Sequence, residues 1–166
     1  YIAQWSNANR DLLMIFPGAS SLSIENVSRD TTRLNSTVDQ QNTSRLKVGA
    51  LKSTVVSTTP QSFSTLLVPH APTPDATELA EQFRSVIAES NVTVVSRTSG
   101  NVKEYLGVND LGATISFDGI TTNATRLMLV RDGSTLSYQV EGVRSLVVDG
   151  KTVLAENGTV NREGSF

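Results

Sequence analysis

Between residues 112 and 156 the chain reads GATISFDGITTNATRLMLVRDGSTLSYQVEGVRSLVVDGKTVLAE. Apolar and polar residues alternate through 113–117 and 136–140, and 126–130 is read as a third such strand. A period of two puts one set of side chains on each face of a half-buried strand. The alternation breaks at Asp118-Gly119, Asp132-Gly133 and Asp149-Gly150. Each dipeptide supplies the positive φ that a tight hairpin turn demands. Strand, Asp-Gly turn and strand thus repeat over about 45 residues, the spacing of an antiparallel sandwich or barrel.

The remaining segments extend the same theme. Residues 11–16 (DLLMIF) are a short apolar run stopped by Pro17-Gly18 and predict a buried strand. Residues 21–27 alternate and predict its hairpin return, and the polar stretch 28–43 predicts an exposed loop with room for one weak edge strand. Residues 45–57 predict one or two strands, and 61–69 a core strand ended by Pro69 and Pro72. The helical signal lies in 73–90, with Thr73 as cap, Pro74 in the first turn, and Asp75 and Glu78 complementing the dipole. Leu79, Phe83, Val86 and Ile87 form its apolar stripe; the alternative, after the Pro-rich break, is a largely extended surface segment. Residues 91–97 and 102–108 predict further strands, and the polar tail 157–166 predicts fraying. The expected fold is all-β: an antiparallel β-sandwich with one short amphipathic helix, forming a single domain over 1–166.

The chain has 166 residues, enough for a proper core without covalent staples. A net charge of −2 gives no electrostatic reason for nucleic acid or an anionic membrane as partner. With no cysteine, disulfides and thiolate metal sites are excluded. No apolar run approaches the roughly 18 residues of a membrane span. The first residue is Tyr with no leader-like pattern after it, which reads as a processed or excised piece of a longer chain. Six Asn-x-Ser/Thr sequons, at Asn26, Asn35, Asn42, Asn91, Asn123 and Asn157, make these residues glycosylation candidates and point to a secreted or cell-surface protein.

Chemistry is harder to find. His70 is the sole histidine and the natural choice for a base near neutral pH, yet its place at a strand end suits a hydrogen-bonded rim residue. Asp75 and Glu78 are its nearest carboxylates in sequence and have no recognised ligand spacing, so no metal is assigned. No Gly-x-Ser-x-Gly nucleophile motif occurs. Asn109-Asp110 with Asp118-Gly119 offer oxygens for calcium, although turns explain them more simply. No catalytic residue and no cofactor is assigned. Sugar recognition on a sandwich uses exposed rings, making Trp5, Tyr105 and Tyr138, with His70, the glycan-contact candidates. Core or rim packing is the plainer reading of each. Trp5, ahead of the first confident strand, is an anchor for a partner surface or a cap on the core.

Four segments, in order, resemble the C-terminal β-sandwich region of heparinase II/III-like polysaccharide lyases, including alginate-lyase-like relatives. They are LLMIFPGA at 12–19 followed by Leu22-Ser23-Ile24, FSTLLVPH at 63–70, RLMLVRDG at 126–133 after the strands leading to Gly119, and SLVVDGK at 145–151. Together they span about residues 11–156. The resemblance implies a parent with an α/α toroid ahead of β-sheet domains. Such enzymes cleave acidic polysaccharides by β-elimination, with Tyr and His residues as the reacting groups. None of those catalytic residues matches a position here. The resemblance therefore implies a non-catalytic, structural and glycan-contacting domain, inactive alone. Its partners would be the upstream catalytic domain and an acidic polysaccharide. The alternative is a self-standing glycosylated adhesion β-sandwich. An enzyme acting through His70 is a third reading.

Overall fold

The computed structural model describes residues 2–7, 10–16, 22–33, 44–55, 65–72 and 75–166. In chain order these form β1 (Ile2–Asn7), β2 (Arg10–Ile15), β3 (Leu22–Arg33), β4 (Ser44–Val55), β5 (Leu66–His70), α1 (Ala76–Glu81), β6 (Phe83–Glu89), β7 (Val92–Ser99), β8 (Val102–Asn109), β9 (Ile115–Phe117), β10 (Ile120–Thr122), β11 (Arg126–Asp132), β12 (Thr135–Val148) and β13 (Lys151–Ser165). The fold is all-β, its strand pairs antiparallel, with one short helix among the described residues.

Residues 20–59 form a unit of their own, distinct from the unit made by 1–19 and 60–166, where the sequence reads as one domain. The smaller unit is a hairpin whose strands pair from Leu22↔Val55 to Arg33↔Ser44. This corrects the expectation that residues 21–27 return along 11–16. Both edges of β2 are already taken, by β1 and by β5. Residues 28–33, in the stretch expected to be loop with one weak edge strand, continue β3, while the rest of it, 34–43, lies outside the described residues.

In the larger unit β1-β2-β5 form a small sheet. The helix is shorter than the sequence suggests. It spans Ala76–Glu81, and its N-cap is Asp75, whose side chain accepts a hydrogen bond from Thr77 N at 2.8 Å. Thr73 and Pro74, the expected cap and first position, lie outside the described residues. Residues 83–89 of the expected helix are strand β6, paired with β7 from Phe83↔Arg97 to Glu89↔Val92. The apolar stripe is therefore divided between two elements. Leu79 joins Leu13 and Ile15 in a small core, with Phe83 at its margin, whereas Val86 and Ile87 pack on the large core. β-Branched Val86 and Ile87 favour the extended backbone once a neighbouring strand offers pairing.

The large sheet runs β6-β7-β8-β11-β12-β10-β9, with β13 also on β12. β11 and β10 lie end to end against β12, pairing Arg126↔Glu141 to Asp132↔Thr135 and Ile120↔Val148 to Thr122↔Leu146. Between them β12 bends. Gly142 takes φ +61°, and the register against β13 shifts between Val140 and Val143 and again before Ser145. Such bulges turn a strand and rephase its faces, and the buried residues accordingly fall at Val140, Val143, Leu146 and Val148 instead of at every second position. The bend lays β9, β10 and the second half of β12 over the inner face of β7, β8 and β11. The Phe117 ring meets the Tyr105 ring there at 5.3 Å between centroids. Residues 123–125 bridge the gap along the edge. Asn123 Oδ1 accepts from both Arg144 N (2.9 Å) and Ser145 N (3.0 Å), and Thr125 N donates to Glu141 O (2.9 Å).

The turns match their chemistry. Asp118-Gly119 and Asp149-Gly150 both have positive φ (45° and 76°, 49° and 77°), the pattern of type I′ hairpins. Residues 157–166 do not fray. β13 stays paired with β12 to Ser165, and Phe166 and Leu136 exchange both backbone hydrogen bonds, at 2.8 and 2.9 Å. The strand holds through its backbone ladder to β12, and Val160 packs against the large core.

Candidate functional site

Two constellations stand out in the larger unit. The first is a set of four charges at one end of the layered core. Lys103 and Arg131 are directly opposed across β8 and β11, an arrangement of like charges that is unfavourable by itself. Each is matched to the aspartate of a facing turn. Lys103 Nζ lies 2.5 Å from Asp118 Oδ2, and Arg131 Nη2 lies 2.9 Å from Asp149 Oδ2. The two turns are tied together by Asp149 N donating to Gly119 O at 2.8 Å. Tyr105, 1% exposed, donates its hydroxyl to Asp118 Oδ2 at 3.0 Å from below.

The hydrogen bond from Lys103 holds the Asp118 carboxyl below its ordinary value, and the same bond raises Lys103. Burial, aided by Asp118, pushes the Tyr105 phenol up. Asp118 thus binds its proton less tightly folded than unfolded. Its contribution is complete above the ordinary carboxylate range and disappears as pH falls through the lowered folded value. Lys103 acts in the opposite sense, its contribution being lost as pH rises through its raised folded value. Asparagine tolerates the positive φ at 118, so Asp118→Asn removes the charge and keeps the turn. The native chain should be more stable than this variant at neutral pH by about 1 kcal/mol or less, since the pair is partly solvated. That lead should vanish in acid, as measured by urea unfolding at a series of pH values. A gap that persists unchanged into acid would refute the ion-pair account.

The second constellation is the outer face of the same sheet. There Val95, Leu106 and Met128 are successive cross-strand neighbours on β7, β8 and β11. Leu106 (49%), Val108 (47%) and Met128 (48%) leave about half their surface in water. Beside them an apolar cleft of about 100 Å³ is lined by Leu66, Phe83, Val95, Leu106 and Met128. Arg97 roofs its rim. Its guanidinium sits 5.8 Å from the Phe83 ring centre, donates to Glu104 Oε2 (3.1 Å), and through Nε to Gln82 Oε1 (3.2 Å). Small-molecule sites usually span roughly 300–1,000 Å³. A cleft this small, next to exposed aliphatic groups, suits an anchoring side chain from a protein surface.

Compared with protein-family models and with curated proteins, the chain matches none. Its functional reading therefore rests on its own geometry and on its motifs.

The residues singled out from sequence are not brought to one place. Tyr105 is buried among Phe117, Lys103 and Asp118, so its ring has no free face for a sugar, correcting its candidacy. Tyr138 is half-buried on the large core with its hydroxyl end over Gly164. His70 pairs with Asp11 across β5 and β2. Its Nδ1 lies 2.8 Å from Ala71 O, while Nε2 is buried with no partner. Trp5 lies on β1 opposite Leu12, and its side chain is outside the described ones. Among the sequons, Asn91 and Asn157 are exposed, and Asn26 lies on β3, its side chain outside the described ones. Asn35 and Asn42 are outside the described residues. Asn123 is 8% exposed and holds the β12 bend, a packing that has no room for a glycan. Asn109, considered for calcium, is buried and donates from Nδ2 to Ala113 O at 2.7 Å, closing its own loop. Among the described residues no group of three His, Asp or Glu side chains could hold a metal ion. Sequence reasoning missed the outer-face patch. Its signal was the apolar residue at both alternating positions in Leu127-Met128-Leu129-Val130.

Proposed function

We propose that this chain is a non-catalytic β module of a secreted lyase acting on acidic polysaccharides. In this reading it docks on the catalytic domain of its own protein through the outer face of its large sheet. The observation that carries the docking is the exposed row of Leu106, Val108 and Met128 beside the Arg97-roofed cleft. The motifs at 12–24, 63–70, 126–133 and 145–151 supply the lyase assignment. A face of this kind loses apolar surface to a partner without any change to the core behind it. The charged set around Asp118 holds the layers together and is not asked to react.

Reconstitution tests it. The chain is combined with the helix-rich region expected upstream in its reading frame, and association is followed by ultracentrifugation. Leu106→Asp with Met128→Asp should abolish association while the isolated chain keeps its melting temperature. Unsaturated-uronate absorbance should grow only in the reconstituted pair. Association that survives the double substitution would sink the docking face. An upstream region without a helical domain would sink the lyase reading. Product formed by the chain alone and lost in His70→Ala would favour the enzyme reading instead. The second reading, a self-standing glycosylated surface protein, is favoured by the exposed sequons at Asn91 and Asn157. Glycans at both, on a chain that associates with nothing upstream, would support it.

A further inference from the structure

Asn157-Gly158 is the only Asn-Gly dipeptide in the sequence, and the structure places it in a break of the β12–β13 ladder. β13 pairs Ala155 with Ser145 and then Val160 with Val143, so residues 156–159 lie opposite Arg144 alone. This stretch is an excursion from the ladder. Its base is closed by Arg162, which pairs with Glu156 at 3.2 Å, and by Asn161, whose Oδ1 accepts from Gly142 N at 3.0 Å. Asn157 is exposed, and a Cβ built on Gly158 would meet nothing within 4 Å.

We infer that Asn157 is a site of spontaneous modification, converting to aspartate and isoaspartate through a cyclic imide. The Gly158 amide nitrogen attacks Cγ of Asn157. The new C–N bond closes a five-membered succinimide, the Cγ–Nδ2 bond breaks, and ammonia leaves with the amide proton. Water then opens either carbonyl, so the net exchange is water in and ammonia out with no redox step. The reaction needs a successor residue with no side chain and a backbone able to bring its nitrogen to Cγ, and this excursion supplies both. A regular ladder would not survive the extra backbone methylene of isoaspartate, but an excursion opposite a single residue absorbs it. The product carboxylate stands beside Glu156 and competes for Arg162. Because Asn157-Gly158-Thr159 is also a sequon, a glycan on Nδ2 would occupy the leaving group and block the reaction.

The experiment is timed incubation of the full chain, made without glycans, in mildly alkaline buffer, followed by peptide mapping that separates amide, aspartate and isoaspartate. Asn157 should lose its amide before Asn91, Asn101 and Asn161 do. Gly158 has no positive φ and open space around it, so Gly158→Ala folds normally. That variant should slow the loss about tenfold, equivalent to about 1.4 kcal/mol of barrier, and leave the other sites unchanged. Loss at Asn157 no faster than at Asn91, or an unchanged rate in Gly158→Ala, would overturn the inference. So would a reaction seen only after unfolding in urea, which would mean that the strand locks the dipeptide.

Discussion

Asn123→Ala should destabilise the larger unit by about 1–3 kcal/mol, the cost of a buried polar group left without its partner, since Asn123 is buried while its two donors are partly solvated. One side-chain oxygen takes two successive backbone donors, Arg144 N and Ser145 N, at the point where β12 leaves its regular ladder. Alanine leaves both unsatisfied and opens the edge between β10 and β11. Asn123→Asp retains the accepting oxygen, and two N–H donors stabilise a carboxylate, so it should lose much less. Urea unfolding of the three proteins measures this. An alanine variant within about 0.5 kcal/mol of the native chain, the range of ordinary surface changes, would show that the bend holds without its amide.

Leu129→Ala should cost about 3–4 kcal/mol, the middle of the range for emptying a buried leucine site. Leu129 is fully buried at the centre of the large core, between Tyr105 on β8 and Tyr138 on β12. Met128, one residue earlier, faces outward and is 48% exposed. Met128→Ala should stay within about 0.5 kcal/mol in the isolated chain. The pair of substitutions therefore separates the face that folds from the face that binds. Equal losses at both positions would mean that the outer face is already covered within the chain and is not free for a partner.

The residues that announced the fold were those whose signals are local. Alternation in 113–117 and 136–140, and the positive-φ turns at Asp118-Gly119 and Asp149-Gly150, need only neighbours in sequence, and they reappear as β9, β12 and two type I′ hairpins. What failed depended on partners outside the segment itself. Leu79, Phe83, Val86 and Ile87 fit a helical stripe and also fit a short helix followed by a strand, and the presence of β7 decides between them. The tail 157–166 has few apolar residues, so nothing within it reveals that β12 holds it in place. Tyr105 is a candidate ring for sugar in the sequence as one of its few aromatics, but the fold buries it and turns its hydroxyl to Asp118. The outer-face patch was hidden for a related reason. An apolar side chain on the wrong side of an alternating strand cannot be told from core until the sheet has a back and a front.

β12 belongs to both layers of the large core, which bears on how that core forms and comes apart. β11 and β10 share one of its edges and β13 holds the other, so the set β6-β7-β8-β11 and the pair β9-β10 are joined through it. Units that open separately in native-state hydrogen exchange are contiguous sets of elements with their own internal pairing, and a common strand removes the seam at which two such sets would part. The two layers should accordingly melt in one step. Their assembly must wait for Val102 to meet Asp132 and for Ile120 to meet Val148, closures slower than those of the adjacent hairpins because strand pairing across longer separations costs more chain entropy.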